Sequence, residues 1–136
     1  VLDLEAGHPV AANNLAMLLA DHAGDPQQAL HYINLALSKT GPVAEFLDTK
    51  GWILLQMNQP EQALQWLAEA VAASPPNPLI HLHLAATYLA LGDAESARQH
   101  WLAASQGELR HDALSARERA AWNQLQTRLD LHQGEV

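Results

Sequence analysis

Three stretches of this chain align without a gap: "GDPQQALHYINLAL" from Gly24, "NQPEQALQWLAEAV" from Asn58 and "GDAESARQHWLAAS" from Gly92, each beginning 34 residues after the one before. An internal period of that length constrains the fold more than any single motif. One copy cannot bury its own apolar face, so successive copies must stack and share a core. Within the copies a small residue recurs as Ala29, Ala63 and Ala97, a bulky one as Ile33, Leu67 and Trp101, and a second small one as Ala36, Ala70 and Ala104. Offsets of four and seven keep the three positions on one helix face. Alanine there lets a neighbouring helix come close while the large residue fills the gap beside it.

Each copy is preceded by another amphipathic segment: "AANNLAMLLADHA", "AEFLDTKGWILLQM" and "PLIHLHLAATYLAL". The repeating unit therefore reads as helix, short turn, second helix. Pro60 suits a first helical turn, and Asp25 and Asp93 follow a turn glycine where carboxylates offset exposed amide groups. No run alternates cleanly enough to predict a strand. Near the C-terminus, "SARE" from Ser115 to Glu118 has the form of a capping box. Ala121, Trp122, Leu125 and Leu129 then give a one-sided apolar stripe, and residues 114–131 are expected to form a helix closing the array.

In period and in the pattern of small and large residues the chain resembles the tetratricopeptide repeat (TPR) family. The resemblance covers Val10–Val43, Ala44–Asn77 and Pro78–His111 as three repeats, with a tail of a preceding repeat at 1–9 and a capping helix and tail at 112–136. The family's Gly or Ala followed three residues on by Tyr is met by Ala85 and Tyr88, with Gly51 and Leu54 in the second repeat and Met17 and Ala20 in the first. Pro75, and Gly41 with Pro42, stand where the family places a proline. Lys50 replaces a usual Leu, and its alkyl stem is expected over the core with the charge outside. The resemblance implies an all-α, right-handed superhelix of three helix-turn-helix repeats and a C-terminal cap. Val1–Pro9, "VLDLEAGHP", compares with "NLALSKTGP" at Asn34–Pro42, so the chain is expected to be cut from a longer array.

The family implies a concave groove lined by first helices. Its positions fall on Asn14, Leu18 and Asp21; on Glu45, Asp48, Thr49, Trp52 and Leu55; and on Leu79, Leu82, His83, Ala86 and Leu89. Trp52 takes the centre, either as a hot spot for a ligand or packed against a neighbouring helix. Chaperone-type members clamp a terminal carboxylate with Lys, Asn and Arg, but none of these positions is Lys or Arg. The acidic wall of Asp21, Glu45 and Asp48 and the aliphatic wall of Leu79, Leu82 and Leu89 instead imply a peptide or partner helix with apolar and basic side chains. Trp66, Trp101 and Trp122 are expected to be structural.

Composition narrows the remaining classes. Seven Lys and Arg against 15 Asp and Glu leave a net charge of −8, which argues against a nucleic-acid partner. Residues 1–77 carry eight acids and two lysines, whereas residues 78–136 carry seven acids and five arginines. The chain has no cysteine, hence no disulfide or thiolate chemistry, which suits a reducing cytoplasm or a periplasm alike. No apolar run is long enough to insert into a membrane. His81 and His83 lie about 200° apart on a helix, and no two histidines show the i, i+4 spacing of helical zinc sites. With no phosphate loop or nucleophile elbow, neither a cofactor, a metal nor catalysis is expected.

The segment "FLDTKGWILLQ" is similar to the "LDTLGW" run of bacterial cell-envelope TPR proteins, including exosortase-associated ones linked to exopolysaccharide export. It implies a bacterial source, hence a bacterial cytoplasm or periplasm, and a scaffold in envelope assembly. A self-assembling array, that is a homo-oligomer, and an accessory domain of a larger enzyme are the alternatives.

Overall fold

The computed structural model describes the backbone of residues 8–134 and the side chains of residues 8–129. The stretch 1–7, most of the segment read as the end of a preceding repeat, lies outside the described residues. Among the described residues seven α-helices run in order: α1 (Pro9–Asp21), α2 (Pro26–Thr40), α3 (Ala44–Gln56), α4 (Pro60–Ala73), α5 (Pro78–Ala90), α6 (Ala94–Gln106) and α7 (Ala116–Gly134). A 3-10 turn, His111–Ala113, precedes α7, and no strand occurs among the described residues. The chain divides into two compact units. Unit 1 holds the antiparallel pairs α1/α2 and α3/α4; unit 2 holds α5/α6 and α7.

The turn inside each pair repeats with the sequence. Gly24, Asn58 and Gly92, spaced 34 residues apart, all have positive φ, at 65°, 62° and 82°. A left-handed residue there lets the chain reverse while satisfying the carbonyls at the helix end. In the second and third repeats the amides of Gln59 and Asp93 donate to Leu54 O and Tyr88 O at 3.0 and 2.9 Å. The first repeat differs by one residue, since the Asp25 amide reaches Leu19 O at 2.8 Å. Second helices then start as their sequences dictate: the carboxylates of Asp25 and Asp93 accept from the amides of Gln28 and Ser96, and Pro60 opens α4.

The nine period positions form the inner face of α2, α4 and α6. Eight have no exposed surface at all, and the ninth, Trp101, has 7%. In unit 1 Ala29, Ile33 and Ala36 join Ala12, Ala16, Ala20, Phe46 and Ile53; in unit 2 Ala97, Trp101 and Ala104 join Leu82, Ala85, Leu114, Leu125 and Leu129. Gly51 sets the approach of α3 to α4. A Cβ built on it would lie 2.5 Å from Leu67 Cγ and 3.2 Å from the Ala63 carbonyl oxygen. Lys50, next to it, places its ammonium 3.9 Å from the centre of the Trp66 ring. The aromatic face shelters a cation that partial burial has deprived of water, and that loss of hydration holds the amine below its ordinary pKa. Trp66 is thus the seat of the one charge the repeat pattern does not expect in this layer.

α7 begins as the capping box requires. The Glu118 amide donates to Ser115 Oγ at 3.1 Å and the Ser115 amide donates to Glu118 Oε1 at 2.9 Å. Leu114 stays outside the helix in extended conformation, because Ser115 is the cap, and packs into the core instead.

Gly51→Ala should destabilise the protein. Alanine gains about 1 kcal/mol in helix propensity, whereas overpacking a closed core costs about 1–3 kcal/mol. Because the clash falls on a fully buried Leu67, a net loss of about 1–2 kcal/mol is expected in urea denaturation. An unchanged or raised midpoint would show that α3 and α4 can separate freely.

Candidate functional site

In unit 1 the face predicted from the first helices is assembled from α1 and α3, which pack side by side. Two polar ties hold them. Asn13 Nδ2 donates to Glu45 Oε2 at 3.2 Å, and Asp21 Oδ1 accepts from Trp52 Nε1 at 3.1 Å and from Gln56 Nε2 at 3.4 Å. Asp21 Oδ2 and Asn13 Oδ1 are buried and have no hydrogen-bond partner. The indole of Trp52 is therefore engaged with Asp21 and only 3% exposed, packed between helices rather than lying open on a surface. Asp48 and Thr49 are buried with it, and the Thr49 hydroxyl donates back to the Glu45 carbonyl at 3.1 Å.

What remains accessible in unit 1 comes mostly from α1. Val10, Asn14 and Leu18 are exposed at spacings of four, so they share one helical face. Leu18 is 54% exposed and Val10 53%, the largest exposures of any big apolar residue described. Glu45 is exposed, and Asp21 and Leu55 are half-buried. The period makes the contrast instructive: Asn14 and Leu18 correspond to Asp48 and Trp52, yet the earlier pair is open and the later pair buried.

In unit 2 the predicted residues part company. Leu79, Ala86 and Leu89 are half-buried, whereas Leu82 and His83 are buried. His83 Nε2 donates to Glu118 Oε2 at 2.7 Å, with the two residues 1% and 3% exposed. This pair ties α5 to α7. Burial alone would push the Glu118 carboxyl up, but the hydrogen bond and charge of His83, with the Ser115 amide and hydroxyl, outweigh it and hold the group below its usual value. His81, two residues away, points elsewhere: its Nδ1 lies 2.9 Å from His100 Nδ1 on α6, and Tyr88 stacks on the His100 ring at 5.5 Å. Desolvation, and then the neighbouring His81, lower the pKa of His100. The role of Glu118 was missed because local sequence accounts for it completely as a capping-box residue; nothing at position 118 points to a partner 35 residues earlier.

Trp101 and Trp122 pack together with ring centres 5.8 Å apart, and His111 meets Trp122 edge-on at 4.6 Å. No cluster of three metal-ligating side chains occurs among the described residues. Nor is any helix among them long and apolar enough to cross a membrane.

Against known proteins, the sequence matches the family profile described as Tetratricopeptide repeat over residues 54–129. No curated protein matches it. Among solved structures, the Yersinia enterocolitica type III secretion translocator chaperone SycD is similar at a TM-score of 0.69 and 16% identity, over 88% of this chain and 92% of that one. PilF of Pseudomonas aeruginosa gives 0.66 and 17% identity over 96% of this chain and 68% of that one. PcrH, solved in complex with the chaperone binding region of PopD, gives 0.66 and 22% identity over 86% and 90%.

A carboxylate held below its normal pKa stabilises the fold above that range, and the stabilisation is lost as pH falls through the folded-state pKa. Unit 2 should therefore loosen on acidification below about pH 4.5, with Glu118 contributing to the loss. Glu118→Gln should cost about 1–3 kcal/mol at neutral pH and almost nothing in acid, as measured by thermal unfolding across pH. Parallel pH profiles for the two proteins would remove Glu118 from the account.

Proposed function

Because the chain belongs to the tetratricopeptide repeat family, we propose that it is a non-catalytic protein-interaction module whose first unit takes up a peptide or partner helix carrying apolar and basic side chains. The observation that carries this reading is the accessible face of α1. Leu18 and Val10 stand open there, Asp21 lies one turn from Leu18, and Glu45 reaches in beside Asn13. Exposed aliphatics supply burial on binding, and the acids attract and orient a cationic ligand. That PcrH, a chain of the same fold, takes a region of a partner protein supports a polypeptide as ligand.

Asn14, Leu18 and Glu45 are the residues we assign to direct contact, with half-buried Asp21 and Leu55 at the margin. Leu79, Ala86 and Leu89 are candidates in unit 2. Asp48, Thr49, Trp52, Leu82 and His83 then act from behind the surface, by fixing the helices that present it. The "LDTKGW" run around Trp52 carries the further proposal of a role in bacterial envelope assembly.

Burial of Trp52 decides which variants are informative. Trp52→Ala would cost about 3–5 kcal/mol of stability and remove the shorter of the two hydrogen bonds to Asp21, so loss of binding by it would say little. Leu18→Ser is exposed and leaves the core intact, whereas Glu45→Lys also removes the acceptor of the buried Asn13 amide, so its binding is compared with that of Glu45→Gln, which keeps an acceptor there and drops only the charge. Screened against amphipathic helical peptides, the protein should prefer lysine- and arginine-bearing sequences over glutamate-bearing ones, with affinity falling as salt rises. Each substitution should weaken binding about tenfold, equivalent to about 1.4 kcal/mol. Equal affinity for acidic peptides, or indifference to Glu45→Lys at every salt concentration, would sink the proposal.

A further inference from the structure

Unit 2 contains a cavity of about 150 Å³ lined by Leu89 from the end of α5, Ala94 and Arg98 from the start of α6, and Arg128 and Leu129 from α7. Two of the five arginines of the chain therefore meet at one small cavity. Neither has an ion-pair or hydrogen-bond partner among the described residues, although Asp and Glu outnumber Lys and Arg by 15 to 7 over the whole chain. Arg98 is the more telling of the two. Its Nε is buried and has no acceptor, in a protein whose remaining unmatched buried side-chain atoms, among those described, number three.

A buried guanidinium N–H without an acceptor costs stability. Because the Arg98 Nε is closed even to water, an anion in the cavity has to be held through the terminal amino groups of the two arginines, whose hydrogen bonds to a carboxylate are charge-assisted and often two-pronged. Asp93, the residue before Ala94, does not serve, since its carboxylate is taken by the Ser96 amide and hydroxyl at 3.1 and 2.7 Å. The other walls are aliphatic: Leu89, Leu129 and the Ala94 methyl group. Such a lining favours a carboxylate on a short hydrocarbon stem over a strongly hydrated dianion. The cavity is small enough to suit a single side chain, entering while its backbone stays outside.

We propose that this cavity is a second binding site, taking the side-chain carboxylate of an acidic partner segment between Arg98 and Arg128. It is independent of the α1 face in unit 1 and opposite to it in charge preference, so a ligand for one is not a ligand for the other. The five arginines of residues 78–136, against two lysines and no arginine in residues 1–77, give the two units different electrostatic tasks.

The test is binding of Ac-Leu-Glu-Leu-NH2 to the full chain, followed by NMR of the leucine and alanine methyl groups. Ac-Leu-Gln-Leu-NH2 and inorganic phosphate serve as comparison ligands. The glutamate peptide should shift the Leu89, Ala94 and Leu129 methyl signals, and should bind at least about tenfold more tightly than the glutamine peptide. Arg128→Gln, at an exposed position, should weaken it by a similar factor with the helical circular dichroism unchanged. Arg98→Lys should restore only part of what Arg98→Gln removes, because lysine keeps the charge but not the fork. The proposal is overturned if the two peptides bind alike, if phosphate matches the glutamate peptide, or if Arg128→Gln leaves its affinity unaltered at low salt. Should Arg98→Gln fail to fold, Arg128→Gln and the peptide pair still decide.

Discussion

Helices in this protein come close because the residues facing one another are small. Ala29, Ala63 and Ala97 have no exposed surface, and Gly51 leaves no room for even a methyl group against Leu67. Close approach puts the bulky partner of each pair, Ile33, Leu67 or Trp101, into the gap beside the small residue, and dispersion over that contact is the main return on ordering the pair. The rest of the molecule depends on it. The left-handed turns at Gly24, Asn58 and Gly92 are needed because two helices this close leave the chain only a few residues in which to reverse.

Upon that apolar frame a few polar contacts add specificity of position. Asp21 holds the indole of Trp52 and the amide of Gln56, tying the first helix of one repeat to the first helix of the next. His83 and Glu118 do the same between α5 and α7. Their net contribution to stability is modest, because burial removes hydration that the new bonds must first replace, although losing one partner costs more than that. Their effect is instead directional: a helix free to slide along an alanine-lined surface loses that freedom once a buried acceptor demands a particular donor. In unit 1 this bears on the proposed function. With Trp52 drawn inward, the ligand contact proposed for this unit falls to Leu18, Asn14 and Glu45, and the aromatic holds α3 in register with α1.

Charge is distributed with the same division. Unit 1 presents exposed aliphatics among acids, whereas unit 2 brings Arg98 and Arg128, without an ion-pair partner among the described residues, to one small cavity. A chain with a net charge of −8 attracts cationic partners at long range regardless of detail. Only where a cation is partly dehydrated and lacks an acceptor does the local field reverse that preference.

The sequence alone determined the helical repeat, the place of each turn and the identity of the inner face, because all of these follow from spacing along one chain. Ala29, Ile33 and Ala36 lie on one side of a helix whatever surrounds them, and Ser115 caps α7 through residues three positions away. The candidate surface was legible only in part. Period equivalence puts Asn14 with Asp48 and Leu18 with Trp52, yet one pair is open and the other buried. Which copy is covered depends on what packs beside it, and that is a property of neighbours in space rather than of position in the repeat. The partnership of His83 with Glu118, and the convergence of Arg98 and Arg128 on one cavity, were likewise decided by tertiary structure. Both join residues about thirty or more positions apart, a separation at which no local propensity, cap or helical period operates.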